Sequence, residues 1–208
     1  MKMVELQKIR KQLSKALDNK RYEHTQGVAY TSAALAMRYG EDVKKAELAG
    51  LLHDCAKCLD NDKKIQICKK HDISISEAEE RNPFLLHAKV GGHLAKTKYK
   101  VDDDEIIQAI ISHTTGRPGM SLLEKIVYIA DYIEPARDHA PNLDDIRELA
   151  FRDLDEALLK ILEDILVHLR SDKKEIDPMT QMTYEYYKRK QSEEWIWFSK
   201  WLRTRFQD

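Results

Sequence analysis

Several ionisable side chains in this 208-residue chain sit where an apolar helix face would otherwise be expected. His53 and Asp54 close the apolar run "ELAGLLHD", and Lys57 follows three residues later. His24 opens the run "HTQGVAYTSAALA", His87 lies in "PFLLHAKVGGHLA", His113 ends "EIIQAIISH", and Asp131 interrupts "IVYIADYI". An unpaired buried charge is very costly, so such groups need a common compensating partner. A metal ion can serve several of them at once. Imidazole nitrogens together with carboxylate oxygens suit iron, manganese, zinc and related first-row metals. An ion with open positions can bind phosphate oxygens and acidify a bound water.

Neighbouring residues on an α-helix diverge by about 100°, so His53 and Asp54 need other helices to complete a shell. His24, His53–Asp54 and Asp131 fall on three different helical segments. A mixed imidazole–carboxylate site inside a helical bundle follows from that placement.

The elements carrying these residues are helical. Seven glycines and five prolines are too few turn formers for a chain built of strands. In "VELQKIRKQLSKALDNK" the apolar positions recur at the spacing of an amphipathic helix. Similar periodicity covers Thr25–Tyr39, Val43–Lys57, Lys63–His71, Leu86–Thr97, Asp103–Ser112, Leu122–Glu134, Leu143–Ala150 and Asp153–Arg170. Asp177 can cap a last helix whose first turn accepts Pro178. The expected architecture is all-α and a single domain over 1–208, with its metal-binding core in roughly 20–140 and helices 143–208 packed on it as an extension.

Composition narrows the partners. Thirty-five basic and 36 acidic residues nearly cancel, which argues against a broad nucleic-acid surface and leaves room for a compact anionic ligand. No stretch approaches the roughly 20 apolar residues of a membrane span. The charged start "MKMVELQKIRKQL" lacks a signal-peptide core. Three cysteines, an odd count, are expected to be reduced thiols of a cytoplasmic protein.

The segments "RYEHTQGVA", "AGLLHDCAK", "LLHAKVGGHLA", "ISHTTGRPGMSLLEKIVYIADYIEPAR" and "DPMTQMTYEY", in that order, resemble the HD superfamily of metal-dependent phosphohydrolases. Within it they are most similar to the symmetrical bis(5'-nucleosyl)-tetraphosphatases, which split diadenosine tetraphosphate into two ADP. The resemblance runs from about Arg21 to Lys188. It implies an HD-domain helical bundle in which His24, His53, Asp54 and Asp131 hold a divalent or trivalent metal ion. Iron is the expected ion, with manganese or another first-row metal as alternatives. It further implies that Arg21, Lys57, His87, His113, Thr114 and Arg137 surround the phosphates of a dinucleoside polyphosphate or nucleoside diphosphate, with His24, Asp54 and Asp131 also touching them. Asp54 and Lys57 would act in catalysis, and Thr180 would contact the nucleotide. The chain departs from the pattern at Tyr184, where an asparagine is expected.

Competing readings are another HD nucleotide phosphohydrolase or phosphodiesterase, a two-iron oxygenase using the extra histidines, and a nucleotide sensor without turnover. Cys55, Cys58, Cys68 and His71 also spell C-x2-C-x9-C-x2-H, which has the ligand types of structural zinc. That reading ranks below three reduced thiols, since both first cysteines would lie on the same helix as the HD pair. His71, His93, His139 and His168 are read as surface or satisfied core histidines. Trp195, Trp197 and Trp201 are expected to dock on the domain or across a homodimer.

Overall fold

A computed structural model describes the backbone of residues 3–205 and the side chains of residues 6–193. Eleven α-helices follow one another within it: α1 (Met3–Ala16), α2 (Asn19–Tyr39), α3 (Val43–Leu52), α4 (Asn61–Lys70), α5 (Glu77–Arg81), α6 (His87–Thr97), α7 (Asp104–Ser112), α8 (Leu122–Ile133), α9 (Leu143–Ala150), α10 (Leu154–Ser171) and α11 (Pro178–Arg205). A 3₁₀ turn, Pro83–Leu86, leads into α6. No strand occurs among the described residues.

Side-chain caps set most of the helix starts. Asp18 accepts from the Arg21 amide, so α2 begins at Asn19 rather than at Thr25, and His24 lies inside the helix instead of opening it. Asp42, Asp103 and Asp153 cap α3, α7 and α10, and Ser121 with Glu124 forms a capping box on α8. Such caps satisfy amides that otherwise lack partners and contribute about 1 kcal/mol each. Asp177 accepts from the Met179 amide at 2.7 Å, as its place before Pro178 predicts.

The expectation of a helix running through to Lys57 fails. Helix α3 ends at Leu52, and His53 to Cys58 form consecutive tight turns. The amides of Cys55, Lys57 and Leu59 bond three residues back, to Leu52, Asp54 and Ala56. This tighter winding replaces α-helical geometry just where adjacent His53 and Asp54 must both face inward. Cys55 and Cys58 therefore lie in the turns, not on the helix.

The main core joins α1, α2, α3, α7, α8 and α10 through residues such as Leu13, Leu35, Leu51, Ile110, Ile129 and Leu158, all fully buried. Each such side chain stabilises the fold by roughly 1.5–3 kcal/mol when removed from water. Helices α2 and α3 make the closest pair: a Cβ at Gly50 would stand 3.0 Å from both the Ala29 Cα and the Val28 carbonyl. Only glycine allows that approach, and it brings the histidine-bearing ends of the two helices together. A smaller core of Ala56, Cys68, Leu86 and Val90 lies beneath the turns after α3.

The C-terminal helices are part of this assembly. Ile161 and Leu162 of α10 enter the main core. The Met120 amide donates to the Tyr187 hydroxyl of α11 at 2.9 Å, and buried Thr183 lies against Gly116. The side chains of Trp195, Trp197 and Trp201 lie outside the described residues.

Candidate metal centre

Five helix termini deliver the site. His53 and His113 are the residues that follow α3 and α7, His87 begins α6, His24 lies in the second turn of α2, and Asp131 lies in the last turn of α8. The Nδ1 of His53 donates to the Gly50 carbonyl at 2.7 Å, that of His87 to Phe84 at 2.7 Å, and that of His113 to Ile110 at 2.6 Å. Each ring is thus pinned by the carbonyl three residues earlier, which places the hydrogen on Nδ1 and presents Nε2 inward. His24 differs, since its Nδ1 donates to the Glu134 carboxylate at 3.0 Å.

The inward atoms converge in two overlapping sets. His24 Nε2 stands 3.0 Å from Asp131 Oδ1, and His53 Nε2 stands 3.8 Å from the same oxygen. Asp54 Oδ2 lies 3.5 Å from His53 Nε2 and 3.9 Å from His24 Nε2. The ligand atoms of His24, His53 and Asp131 lie mutually within 4.8 Å, as do those of His53, Asp54 and His113. His24 Nε2 and His53 Nε2 are buried without an aligned hydrogen-bond partner, and both face Asp131 Oδ1 and Asp54 Oδ2. Asp54 Oδ1, also an orphan, faces Lys57, His87 and His113 instead. Buried polar atoms are nearly always satisfied, so two orphaned nitrogens facing two carboxylate oxygens fit a cation bound among them. The donor set, nitrogen with carboxylate oxygen, suits a first-row metal.

The charges around these atoms are organised. Burial opposes ionisation of Asp54, but His53, His113 and Lys57 outweigh it and hold its carboxyl well below the usual range. Burial likewise opposes charge on Asp131, where the His24 hydrogen bond and the nearby His53 prevail and keep it ionised. Burial pulls the His24 imidazolium down, yet Asp131, Glu134 and Asp54 together raise it above its ordinary value. His87 is depressed by burial, by Lys57 and by His113, and stays neutral.

Basic groups ring the cluster. Arg21 Nη1 donates to Asp54 Oδ2 at 2.7 Å, and Arg137 Nη2 donates to Asp131 Oδ1 at 2.9 Å. Lys57 Nζ donates to His87 Nε2 at 2.9 Å and stands 3.3 Å from Asp54 Oδ1. The Thr114 hydroxyl is 3.1 Å from the Nε2 of both His87 and His113, which are themselves 3.1 Å apart. Lys57, His113, Thr114, Asp131 and Arg137 open onto a cavity of about 250 Å³ whose far wall is Ile161 and Ile165 of α10.

Ten of the eleven residues singled out from the sequence therefore meet in one place. Thr180 does not: it is buried at the start of α11, and no hydrogen bond joins its side chain to the cluster among the described residues. Its neighbour Met179 lines a smaller cavity, about 130 Å³, on the other side of Thr114. The cysteines go elsewhere. Cys55 Sγ donates to the Gly91 carbonyl, the exposed Cys58 faces Asp18, and Cys68 belongs to the smaller core. His71 and His93, which sequence treats as unrelated, lie with ring centroids 4.2 Å apart. Glu134 escaped sequence reasoning altogether. Its signal was available, as a second acid on the same apolar stretch as Asp131.

Comparison with known proteins gives a consistent picture. The HD domain family model matches residues 21–136. A symmetrical bis(5'-nucleosyl)-tetraphosphatase of Bacillus subtilis is 42% identical over 170 residues, covering 82% of this chain and 90% of that protein. The protein of the same name from Halalkalibacterium halodurans is 39% identical, covering 81% of this chain and 89% of its own length. Among solved structures, a predicted HD superfamily hydrolase involved in NAD metabolism, from Clostridium acetobutylicum, superimposes with a TM-score of 0.86. It is 41% identical, and the match covers 89% of this chain and 97% of that one.

Proposed function

Because the chain belongs to the HD-domain family and matches its symmetrical tetraphosphatases over nearly their whole length, we propose that it hydrolyses diadenosine tetraphosphate to two ADP. The observation that carries the metal-dependent chemistry is the pair of orphaned inward nitrogens, His24 Nε2 and His53 Nε2, facing Asp131 Oδ1 and Asp54 Oδ2. We assign His24, His53, Asp54 and Asp131 as the metal ligands and take iron as the ion, with manganese or another first-row metal as substitutes. Bound there, the ion would supply an acidified water and polarise a phosphoryl oxygen.

The remaining groups bind and steer the phosphate chain. Lys57 has its ammonium between Asp54 Oδ1 and His87 Nε2, inside the second candidate ligand set. That placement favours one ion over two and puts a cation where phosphate charge develops. Arg21 and Arg137, now on ligand carboxylates, can turn donors toward the same oxygens. Hydrolysis forms a bond from the water oxygen to one inner phosphorus and breaks that atom's bridge to the other inner phosphate. The ionised Asp54 carboxylate can accept the water proton at Oδ1. The facing Nε2 atoms of His87 and His113, with Thr114, form a seat for one proton that can pass to the departing phosphate oxygen. Thr180 would reach a ligand at its nucleoside end.

A product-resolved assay with metal-replete wild type and Asp54→Ala, paired with metal analysis, tests this. Wild type should release ADP alone, and the variant should lose bound metal and at least about 10³-fold in turnover, on the scale seen when a catalytic unit is broken. AMP with ATP from diadenosine tetraphosphate would replace the symmetrical reading by another phosphohydrolase. A variant with full metal and full turnover would sink the ligand assignment.

A further inference from the structure

The stretch "IADYIEPAR" carries a second acid three residues after Asp131. Helix α8 ends at Ile133, and Glu134 leaves it with extended backbone, so its side chain turns back under the site instead of continuing along the helix. Glu134 is 2% exposed, a burial that a carboxylate tolerates only with strong partners. One oxygen accepts from His24 Nδ1 at 3.0 Å and the other from the Ala136 amide at 2.8 Å.

The opposite helix is shaped to admit it. A Cβ on Gly27, three residues after His24 on α2, would collide with the Glu134 Oε2 and stand 3.2 Å from its Cδ. The loop that bears Glu134 is itself held from α9. Arg147 donates to the carbonyls of Ile133, Glu134 and Arg137 at 3.0, 3.1 and 2.9 Å. The other three imidazoles of the cluster rely on main-chain carbonyls; this one relies on a side-chain carboxyl group.

We propose that Glu134 is a positioning residue of the metal centre: it holds the Nδ1–H of His24, commits Nε2 as a ligand, and occupies a recess that exists because residue 27 is glycine. The inference rests on the metal-centre reading above. A carboxylate behind a ligating histidine fixes the ring and makes its donor nitrogen more basic, and loss of such partners typically costs about 10–100-fold in metal affinity. Gly27 matters through the same carboxylate and has no separate role at the ion.

The test is equilibrium competition of manganese(II) against a fluorescent chelator, using metal-free full-length chain. Glu134→Gln keeps the size and removes the charge; Glu134→Ala removes the partner. Both should weaken manganese binding by about 10–100-fold, with unchanged far-UV circular dichroism. Gly27→Ala should weaken it comparably, while Gly27→Ala added to Glu134→Ala should do nothing more, because the displaced group is gone. Wild-type affinity in the folded Glu134→Gln protein overturns the proposal, as does additivity of the Gly27 and Glu134 effects. If Glu134→Ala does not fold, the glutamine variant decides. A wild-type chain that binds manganese but yields no ADP from diadenosine tetraphosphate would defeat the functional reading and leave this one standing; one that binds no manganese overturns both.

Discussion

The two ends of α3 invite comparison. At its Asp42 end lies a cavity of about 600 Å³ lined by Lys8, Lys44, Lys45, Lys98 and Lys100 along with Asp42, Asp102 and Asp103. At its His53 end lies a cavity of about 250 Å³. The wider cavity is ordinary in its charges. Lys8, Lys44, Lys98 and Lys100 are exposed, Lys45 pairs with Asp103 at 2.9 Å and with Glu105, and Asp42 and Asp103 are occupied as helix caps. The narrower one touches a cluster in which His53 and His87 have no exposure and several polar atoms lack partners. Volume does not separate these ends. The wider cavity also has one buried orphan, the Tyr99 hydroxyl, but it stands alone there. At the His53 end several imidazole and carboxylate atoms lacking partners converge, and each carries a desolvation cost that a ligand can remove.

Four further experiments probe that contrast. Lys57→Met removes the ammonium that, among the described residues, contacts Asp54 and His87, and should lower kcat by about 10²–10³-fold, as loss of a transition-state donor does. Its metal content, read by elemental analysis, should equal that of wild type; a parallel loss of metal would make Lys57 part of the binding site proper.

Gly50→Val acts between the two ends. Wedging a side chain between α2 and α3 should cost about 1–3 kcal/mol in urea unfolding, as overpacking does. It should also weaken metal binding by separating His24 from His53. Lost stability with wild-type metal affinity would show that the helix pairing does not set the ligand distances.

The third experiment varies pH. His24 is raised above 6.5 in the metal-free protein, so its proton competes with a metal. Metal affinity should therefore fall as pH drops through that raised value, by up to about tenfold per unit for one displaced proton, and level off above it. Asp54 and Asp131 stay ionised across the range and add no slope. Isothermal titration between pH 5.5 and 8.5 would show it. A flat profile would remove His24 from the ligands.

The smallest effect is expected at the far end. Lys45→Ala breaks a solvent-facing pair, and such pairs contribute little. Turnover and metal affinity should match wild type. A clear loss of either would show that the two ends of α3 are coupled.

The convergence of His24, His53, Asp54 and Asp131 on one candidate site was legible because histidine and aspartate stand out against apolar helical faces such as "IVYIADYI". The helical architecture was legible for the same reason of periodicity, and the start of α11 because Asp177–Pro178 is a local signal. Other features needed three dimensions. The end of α3 at Leu52 depends on His53 and Asp54 sharing one space, which no local preference encodes. The start of α2 was misplaced because the cap at Asp18 precedes the apolar pattern. Glu134 gains its meaning from His24, 110 residues away in the chain. Thr180, singled out by its place in a recognisable segment, is buried and has no side-chain hydrogen bond to the cluster among the described residues. No helix among the described residues is long and apolar enough to cross a membrane, in line with the hydropathy of the chain.

The pinning of His53, His87 and His113 by the carbonyls three residues before them bears on how this centre tolerates sequence drift. Every residue type has a main-chain carbonyl, so Phe84 and Ile110 can each be exchanged without removing the acceptor that aims the ring, while Gly50 is held by the α2–α3 packing and not by its acceptor role. The aim of three imidazoles is thereby written into the path of the backbone, and for His87 and His113 it is insulated from point substitution at their partners. His24 has no such insurance, since a single change at Glu134 deletes its acceptor. Substitutions that re-tune the centre for a different metal should therefore arise most readily around that one ring.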